Sequence, residues 1–370
     1  MSKSNVLLLC LVLAGGCCIA ARVTEQVAAS WQFQTATPES QGMSAAKLEA
    51  LKQSLAARGT KTFLVMRHDR IVGEWYASDF SASKPHYTAS LAKMLTGSLS
   101  LMLALTDGRL SLDDPVCKYV PQWKEDPQKK IITVRQLATH TSGLEDAEAE
   151  KRDVPHNKLT GWKGEFWKTL EPPRDPFTLS RDEARVVFKP GTKFPPGDDA
   201  GYSNPGYAML AYTIAASYRG TPYADLRVLL RDRLMRPIGA GDEEWSVGYK
   251  RTFNVDGLPL MATWGGGAYT ARAVARVARL LLRNGDWEGK QLLARDSIHQ
   301  VKPQGPVAPW LRPLPAGSFC GAGAGMQLMI VVPSLDLLAV RNGKDLAEND
   351  SDWKSLSPVL FEPLMNAIEK

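Results

Sequence analysis

The chain has 370 residues, 44% hydrophobic and 23% charged, with 30 Gly, 24 Pro and a formal net charge of +6. This composition excludes bulk disorder, a polytopic membrane protein and a collagen-like or low-complexity chain. At roughly 150 residues per domain the length suits two domains or one large one, with ample core. Lys and Arg form no dense block, so nucleic acid is not an expected partner.

The first segment, Met1 to Ala21, reads as an export signal rather than as part of the fold. Lys3 gives a positive start, Val6 to Ala14 is an apolar run, and Gly15-Gly16-Cys17-Cys18-Ile19-Ala20-Ala21 supplies small residues for cleavage. The run is short for a membrane span. Two outcomes stay open. Ala14-Gly15-Gly16-Cys17 resembles a lipobox, with Ala where Leu is usual, so Cys17 is a candidate for acylation and a lipid anchor. Cleavage after Ala20 or Ala21 gives a soluble exported chain instead. Of the five Cys, at 10, 17, 18, 117 and 320, only Cys117 and Cys320 fall outside this segment. They read either as a disulfide pair or as two buried thiols. No spacing suits a metal site, and no metal or cofactor is expected.

Ser44 to Arg58 is expected to be an amphipathic helix capped by Ser44. Thr62 to Met66 and Ile71 to Tyr76 flank the polar tip His68-Asp69-Arg70, a β-hairpin pattern. Ser90 to Leu105 is apolar nearly all round and stops at Asp107-Gly108, which predicts a buried helix. From there to about Pro237 the chain has helical patches and few alternating strands. Thr270 to Asn284 predicts a helix with an Arg-rich face. Met326 to Val332 and Leu337 to Arg341 flank Pro333-Ser334-Leu335-Asp336 as a second hairpin, and Pro358 to Glu369 closes the chain as a helix. Strands at both ends with helices between imply an α/β layer assembled from both termini. No solenoid repeat is present.

His occurs only at 68, 86, 140, 156 and 299, and no Gly-x-Ser-x-Gly, His-Glu-x-x-His or Walker sequence is found. A Ser–Lys pair is therefore the nucleophilic arrangement to seek. Ser-x-x-Lys occurs at Ser44/Lys47, Ser81/Lys84, Ser90/Lys93 and Ser351/Lys354. Ser44 is a cap on a surface helix, and Ser81 and Ser351 sit in polar stretches. Ser90 opens the apolar helix, and Lys93 follows one turn later on the same face. Burial disfavours a charged lysine, and a neutral amine can take a proton from Ser90. The Ser90 N–H, at the helix start, is free to face an oxyanion. The alternative is a cap beside a snorkelling lysine. Tyr202-Ser203-Asn204 is the sole Tyr-x-Asn, after Pro195-Pro196-Gly197. Its hydroxyl suits a proton relay and its amide suits substrate or Lys93; a packed turn is the other reading.

Ser90-Leu-Ala-Lys93, His140-Thr-Ser-Gly-Leu144, Tyr202-Ser-Asn204 and the last Gly-rich strand follow one another as in the serine β-lactamase-like family. That family includes class C β-lactamases, D-aminopeptidases, esterases and aminohexanoate-oligomer hydrolases. Leu110 to Val116, Thr133 to Leu137 and Phe188 to Thr192 resemble its connecting text, so the resemblance covers about Ser44 to Lys370. It implies an antiparallel sheet flanked by helices plus a mostly helical inserted domain, a β-lactamase/transpeptidase-like α+β fold. In domain terms, 1–21 is the export segment and 30–370 the catalytic domain, with its α/β part about 44–106 and 240–370 and its helical part about 107–239.

The resemblance also implies roles. Ser90 is the nucleophile, Lys93 the general base, Tyr202 the acid/base relay and Asn204 a positioning group. His140 is expected to be structural. The third family motif departs: where β-lactamases have Lys-Thr-Gly and relatives His-x-Gly, this chain has Gly321-Ala322-Gly323. The Ala322 N–H remains available as an oxyanion donor, but the partner for a substrate carboxylate is lost. That points away from β-lactam and D,D-peptide substrates and toward small-molecule esters or amides. Acyl transfer to an acceptor other than water and a non-catalytic sensor are the competing readings. Asp198 and Asp199 are either a receptor for a cationic group or a solvated turn. Trp162, Phe166, Trp167 and Phe177 either line the cleft or pack a subdomain.

Overall fold

A computed structural model describes residues 31–144, 177, 181, 202–301, 309–346 and 353–369. The export segment, Asp198, Asp199, Trp162, Phe166 and Trp167 lie outside the described residues.

In chain order, β1 (Gln34–Thr35), α1 (Ala45–Ala57), β2 (Thr60–Arg67), β3 (Arg70–Tyr76) and β4 (His86–Tyr87) lead to a composite helix. That helix has a 3-10 turn (Ala89–Leu91), a π turn (Lys93–Ser98) and then α2 (Leu99–Thr106). The helical region contributes α3 (Val134–Ala138), α4 (Asn204–Ser217) and α5 (Leu226–Leu230). There follow β5 (Trp245–Ser246), β6 (Phe253–Val255), β7 (Leu258–Leu260), β8 (Ala268–Tyr269), α6 (Ala271–Leu282), β9 (Asp286–Trp287), β10 (Lys290–Gln291) and α7 (Arg295–Val301). The chain ends with β11 (Phe319–Gly323), β12 (Gln327–Val332), β13 (Leu337–Gly343) and α8 (Glu362–Asn366).

The main sheet has the order β1-β3-β2-β13-β12-β11, so strands from the two ends of the chain meet where β2 pairs antiparallel with β13. Both expected hairpins form. The β2–β3 turn has His68 and Asp69 at φ 49 and 61, the two positive angles that a tight two-residue hairpin turn requires. Along β2, Leu64 and Met66 point into one apolar core and Phe63 and Val65 into the other. Because both faces are covered, β2 and β12 read as unbroken apolar runs rather than as alternation.

The larger core holds the composite helix, α4 and α6. The other lies under α1 and the chain's last helix. Ser44 caps α1 as expected, accepting from the Lys47 N–H. The Arg-rich face of α6 has a definite purpose. Arg279 clasps the Asp69 carboxylate at 2.8 and 2.9 Å, and Arg283 donates to Asp336 at 3.0 Å. One helix thereby pins the turns of both hairpins. Burial opposes charge on Asp69, yet the Arg279 guanidinium holds its carboxyl below the ordinary value.

Two sequence expectations need correction, both about helices. Ser90 to Leu105 is not one uniform α-helix. Gly97 lets the Tyr207 ring approach so closely that a Cβ there would lie 2.7 Å from it, and the backbone runs as a π turn alongside. The C-terminal helix likewise begins as a π turn, Ser357–Phe361. Cys117 and Cys320 are unpaired with each other. Cys117 packs against the larger core and Cys320 against the other, with the main sheet between those cores. Phe177 is core: it meets Tyr212 edge-on at 5.1 Å, and its carbonyl accepts from Trp123 Nε1 at 2.9 Å.

Candidate active site

The chain reaches Ser90 through a backbone that no sequence pattern announces. Ala89 has φ 45, a left-handed conformation that costs an alanine about 1–2 kcal/mol. Ser90 then sits in the first turn of the composite helix, where backbone N–H groups have no acceptor within the helix. Lys93 opens the π turn on the same side.

Tyr202 and Asn204 arrive on the start of α4. Ser203 caps that helix, its hydroxyl accepting from the Gly206 N–H at 2.9 Å, and Pro205 occupies the first turn. The cap turns the chain so that residues 202 and 204 both face Lys93.

The four residues converge on one amine. Lys93 Nζ lies 3.2 Å from Ser90 Oγ, 2.5 Å from Tyr202 Oη, 2.6 Å from Asn204 Oδ1 and 2.9 Å from the Trp264 carbonyl. Ser90 Oγ and Tyr202 Oη are 2.8 Å apart. Lys93 is only 7% exposed. Asn204 Oδ1 and the Trp264 carbonyl are pure acceptors, so they take two of the amine hydrogens in either protonation state. The remaining position faces the two hydroxyls. It is an N–H when Lys93 is an ammonium and a lone pair when Lys93 is neutral. The arrangement can therefore hold the proton or accept it without moving heavy atoms.

His140 supports this cluster from behind. Its ring stacks on Tyr202 at 4.6 Å and on Tyr207 at 4.8 Å, and its Nδ1 accepts from the Ser203 N–H at 3.1 Å. Burial, together with the neighbouring Lys93 charge, pushes the His140 pKa down to about 3. The imidazole is thus neutral, with its proton on Nε2, and serves as a flat wedge. Three contributions escape sequence reading: the Trp264 carbonyl, the strained Ala89 and the stacking of His140. Only the last had a visible signal, in the His-Thr-Ser-Gly segment.

The final strand passes directly over Ser90. β11 is the edge of the main sheet, so alternate N–H groups point outward. A Cβ on Gly323 would lie 2.2 Å from the Thr88 carbonyl oxygen and 2.9 Å from the Ser90 nitrogen. A Cβ on Gly321 would lie 2.6 Å from Leu91 Cδ1. Glycine is required at Gly323, where the neighbours are backbone atoms, whereas at Gly321 the neighbours are side chains that would have to shift. Ala322 has the opposite strand parity and packs toward the other core.

The family model described as Beta-lactamase matches residues 47–340, a span that contains Ser90, Lys93, Tyr202, Asn204 and β11. The chain belongs to the Beta-lactamase family. It is 29% identical over 162 residues to the D-alanyl-D-alanine-carboxypeptidase/endopeptidase AmpH of Escherichia coli K12, covering 43% of this chain and 36% of that protein. It is 24% identical over 264 residues to the 6-aminohexanoate-dimer hydrolase of Paenarthrobacter ureafaciens, covering 70% of this chain and 60% of that one. Both matches span less than two thirds of the relative's length. Among solved structures, a putative 6-aminohexanoate-dimer hydrolase from Bacillus anthracis superposes with TM-score 0.64 at 19% identity, over 91% of this chain and 87% of that one.

Within this Beta-lactamase family member, β11 itself brings no cation or hydroxyl to Ser90. The nearby Arg341 on β13 does not substitute, because it is fully buried. It donates to the carbonyls of Gly325 and Met326 at 2.9 and 3.0 Å, to Thr60 Oγ1 at 3.0 Å and to the Lys344 carbonyl. Burial lowers its pKa to about 10. Gln327 Nε2 adds bonds to the Gly325 and Gly343 carbonyls at 2.9 and 2.7 Å. Together they clamp the turn that follows β11 and so fix the height of that strand above Ser90.

Proposed function

We propose that this chain is an exported serine hydrolase that cleaves ester or amide bonds of small molecules through an acyl-enzyme on Ser90. The observation that carries the reading is the three-cornered contact of Ser90 Oγ, Lys93 Nζ and Tyr202 Oη around one buried amine.

Neutral Lys93 takes the Ser90 proton as Oγ attacks the carbonyl carbon. The oxyanion forms between the Ser90 N–H and the Ala322 N–H of β11. Tyr202 passes a proton from Lys93 to the departing oxygen or nitrogen, which leaves as alcohol or amine. Water then attacks the acyl carbon, its proton goes to the Lys93–Tyr202 pair, and Ser90 Oγ leaves with a proton returned. Asn204 and the Trp264 carbonyl keep the amine aimed at the hydroxyls throughout.

A fluorophosphonate probe tests the nucleophile. The expected adduct lies on the Ser90 peptide and is absent from Ser90→Ala. Labelling that persists in the variant overturns the assignment. Turnover of p-nitrophenyl esters, D-amino acid amides and aminohexanoate oligomers sorts the substrate class.

Export rests on Lys3, Val6 to Ala14 and the small residues after them. Intact mass of the native protein reads the outcome. A diacylglycerol-sized increment on Cys17, lost in Cys17→Ser, marks a lipoprotein; a chain starting at Ala21 or Arg22 marks a soluble exported form. A native chain that starts at Met1 defeats export.

A further inference from the structure

Gly248, Tyr249 and Lys250 have φ of 61, 53 and 59. Glycine enters this left-handed region freely, but L-residues are strained there and bulky ones are outliers. Two such residues in succession after a glycine are unusual. Strain of this kind persists where the surroundings over-determine it, which is common beside functional sites.

The turn has a clear geometric result. The Tyr249 N–H bonds the Gly266 carbonyl at 2.9 Å. Its ring lies on the backbone of Gly265 and Gly266: a Cβ on Gly266 would be 2.4 Å from ring Cγ, and a Cβ on Gly265 would be 2.9 Å from the phenol oxygen. The same Gly265 point is 3.9 Å from the carbonyl oxygen of Ala89, the residue before Ser90. Gly265 also follows Trp264, whose carbonyl holds Lys93. Thus two side-chain positions beside the catalytic cluster are empty, and an aromatic ring fills their space from a strained turn. Tyr249 packs against the larger core yet stays only partly buried. β11 offers no charged side chain to a substrate, and an aromatic ring beside the cluster offers an apolar surface in its place.

We propose that Tyr249 is a specificity-determining residue that stacks against a planar ring on the acyl side of the substrate. This rests on the acyl-enzyme reading for its kinetic test, but a second measurement does not need turnover.

The kinetic test compares p-nitrophenyl phenylacetate with p-nitrophenyl acetate, which share a leaving group. Tyr249→Asn, a residue that tolerates a left-handed backbone, should lower the phenylacetate-to-acetate ratio of kcat/KM about fivefold or more. Tyr249→Phe should keep the ratio. Equal losses on both esters, or an unchanged ratio, overturn the proposal. The second measurement uses the Ser90→Ala chain and phenylacetamide as the probe in saturation-transfer NMR. Transfer to the probe ring is expected, and it should vanish in Ser90→Ala/Tyr249→Asn. If wild type hydrolyses no ester yet this NMR difference is seen, the proposed function fails and the Tyr249 assignment stands. If the two variants give the same signal, or none, the assignment fails.

Discussion

His140 lies face to face with Tyr202, ring centroids 4.6 Å apart and planes 22° from parallel, while its Nδ1 accepts from the next residue's N–H. The tyrosine is thereby held from behind by an imidazole that must be neutral to do so. His140 has a folded pKa of about 3 against an ordinary value of 6.5. Between those values the unfolded chain binds the extra proton, so this contribution to stability is complete above about pH 6.5 and falls as pH drops toward 3. His140→Asn keeps an acceptor and suits the positive φ of 57. It should flatten the acid limb of melting temperature against pH relative to wild type. It should also cost about 1–3 kcal/mol at pH 8 through lost stacking. Acid limbs that superpose would remove His140 as their cause.

Ser90→Ala removes one partly exposed hydroxyl and leaves the helix start and the Lys93 acceptors in place. Hydrolysis should fall to about 1% or less of wild type with melting temperature within about 2 °C. Larger residual ester cleavage by a homogeneous sample rules out Ser90 as nucleophile.

Lys93→Ala should lose as much activity as Ser90→Ala, and the double variant should be no worse than either, because residues acting as a unit are non-additive. Its stability need not fall in step. Asn204 Oδ1 and the Trp264 carbonyl lose a partner, which costs about 1–3 kcal/mol, while a buried amine no longer has to be desolvated. Kinetics and thermal melts of the three variants separate the two effects. A double variant markedly slower than both singles contradicts the shared role.

How far the sequence anticipates this molecule depends on whether a feature resides in side chains or in backbone. Ser44 announces α1 because a cap is a side-chain event, and the Arg279 face of α6 is visible as charge at helical spacing. Ser90, Lys93, Tyr202 and Asn204 stand out because their chemistry is in their functional groups, and the fold brings all four together. The Trp264 carbonyl has no side-chain signature. The positive φ of Ala89 falls on a residue that rarely adopts it. The small sheet β4-β8-β5 has strands of two residues each, too short for a period-two pattern to register. The π turn Lys93–Ser98 holds Gly97 against the Tyr207 ring, a contact across 110 residues that local propensity cannot encode.

Gly323→Ala and Gly73→Ala form a matched pair of strand substitutions. Nothing lies within 4 Å of the Cβ point on Gly73, so alanine there should be neutral or stabilising. On Gly323 the new methyl would meet the Thr88 carbonyl at 2.2 Å. The strand must then lift from Ser90, at a cost of about 1–3 kcal/mol. Activity should fall at least tenfold, chiefly in kcat, because displaced oxyanion donors act on the transition state. Urea melts and steady-state kinetics test both, and a fully active Gly323→Ala enzyme would show that β11 does not form the oxyanion site.

Nitrocefin should be turned over slowly or not at all. A β-lactam presents a carboxylate, and strong recognition of a carboxylate calls for a charge-assisted partner worth roughly 1.5–3 kcal/mol. Gly321, Ala322 and Gly323 supply backbone alone, and Arg341 is enclosed within the sheet with its donors spent on carbonyls and Thr60. The loss should fall mainly on the KM for anionic substrates, while neutral esters are spared. Introducing a cation tests the cause. Ala324→Lys, in the turn just past β11, should increase nitrocefin kcat/KM relative to wild type while leaving p-nitrophenyl acetate within about twofold. Efficient nitrocefin hydrolysis by the wild-type chain would mean that another cation meets the carboxylate, and serial Arg→Ala substitution around the cleft would locate it.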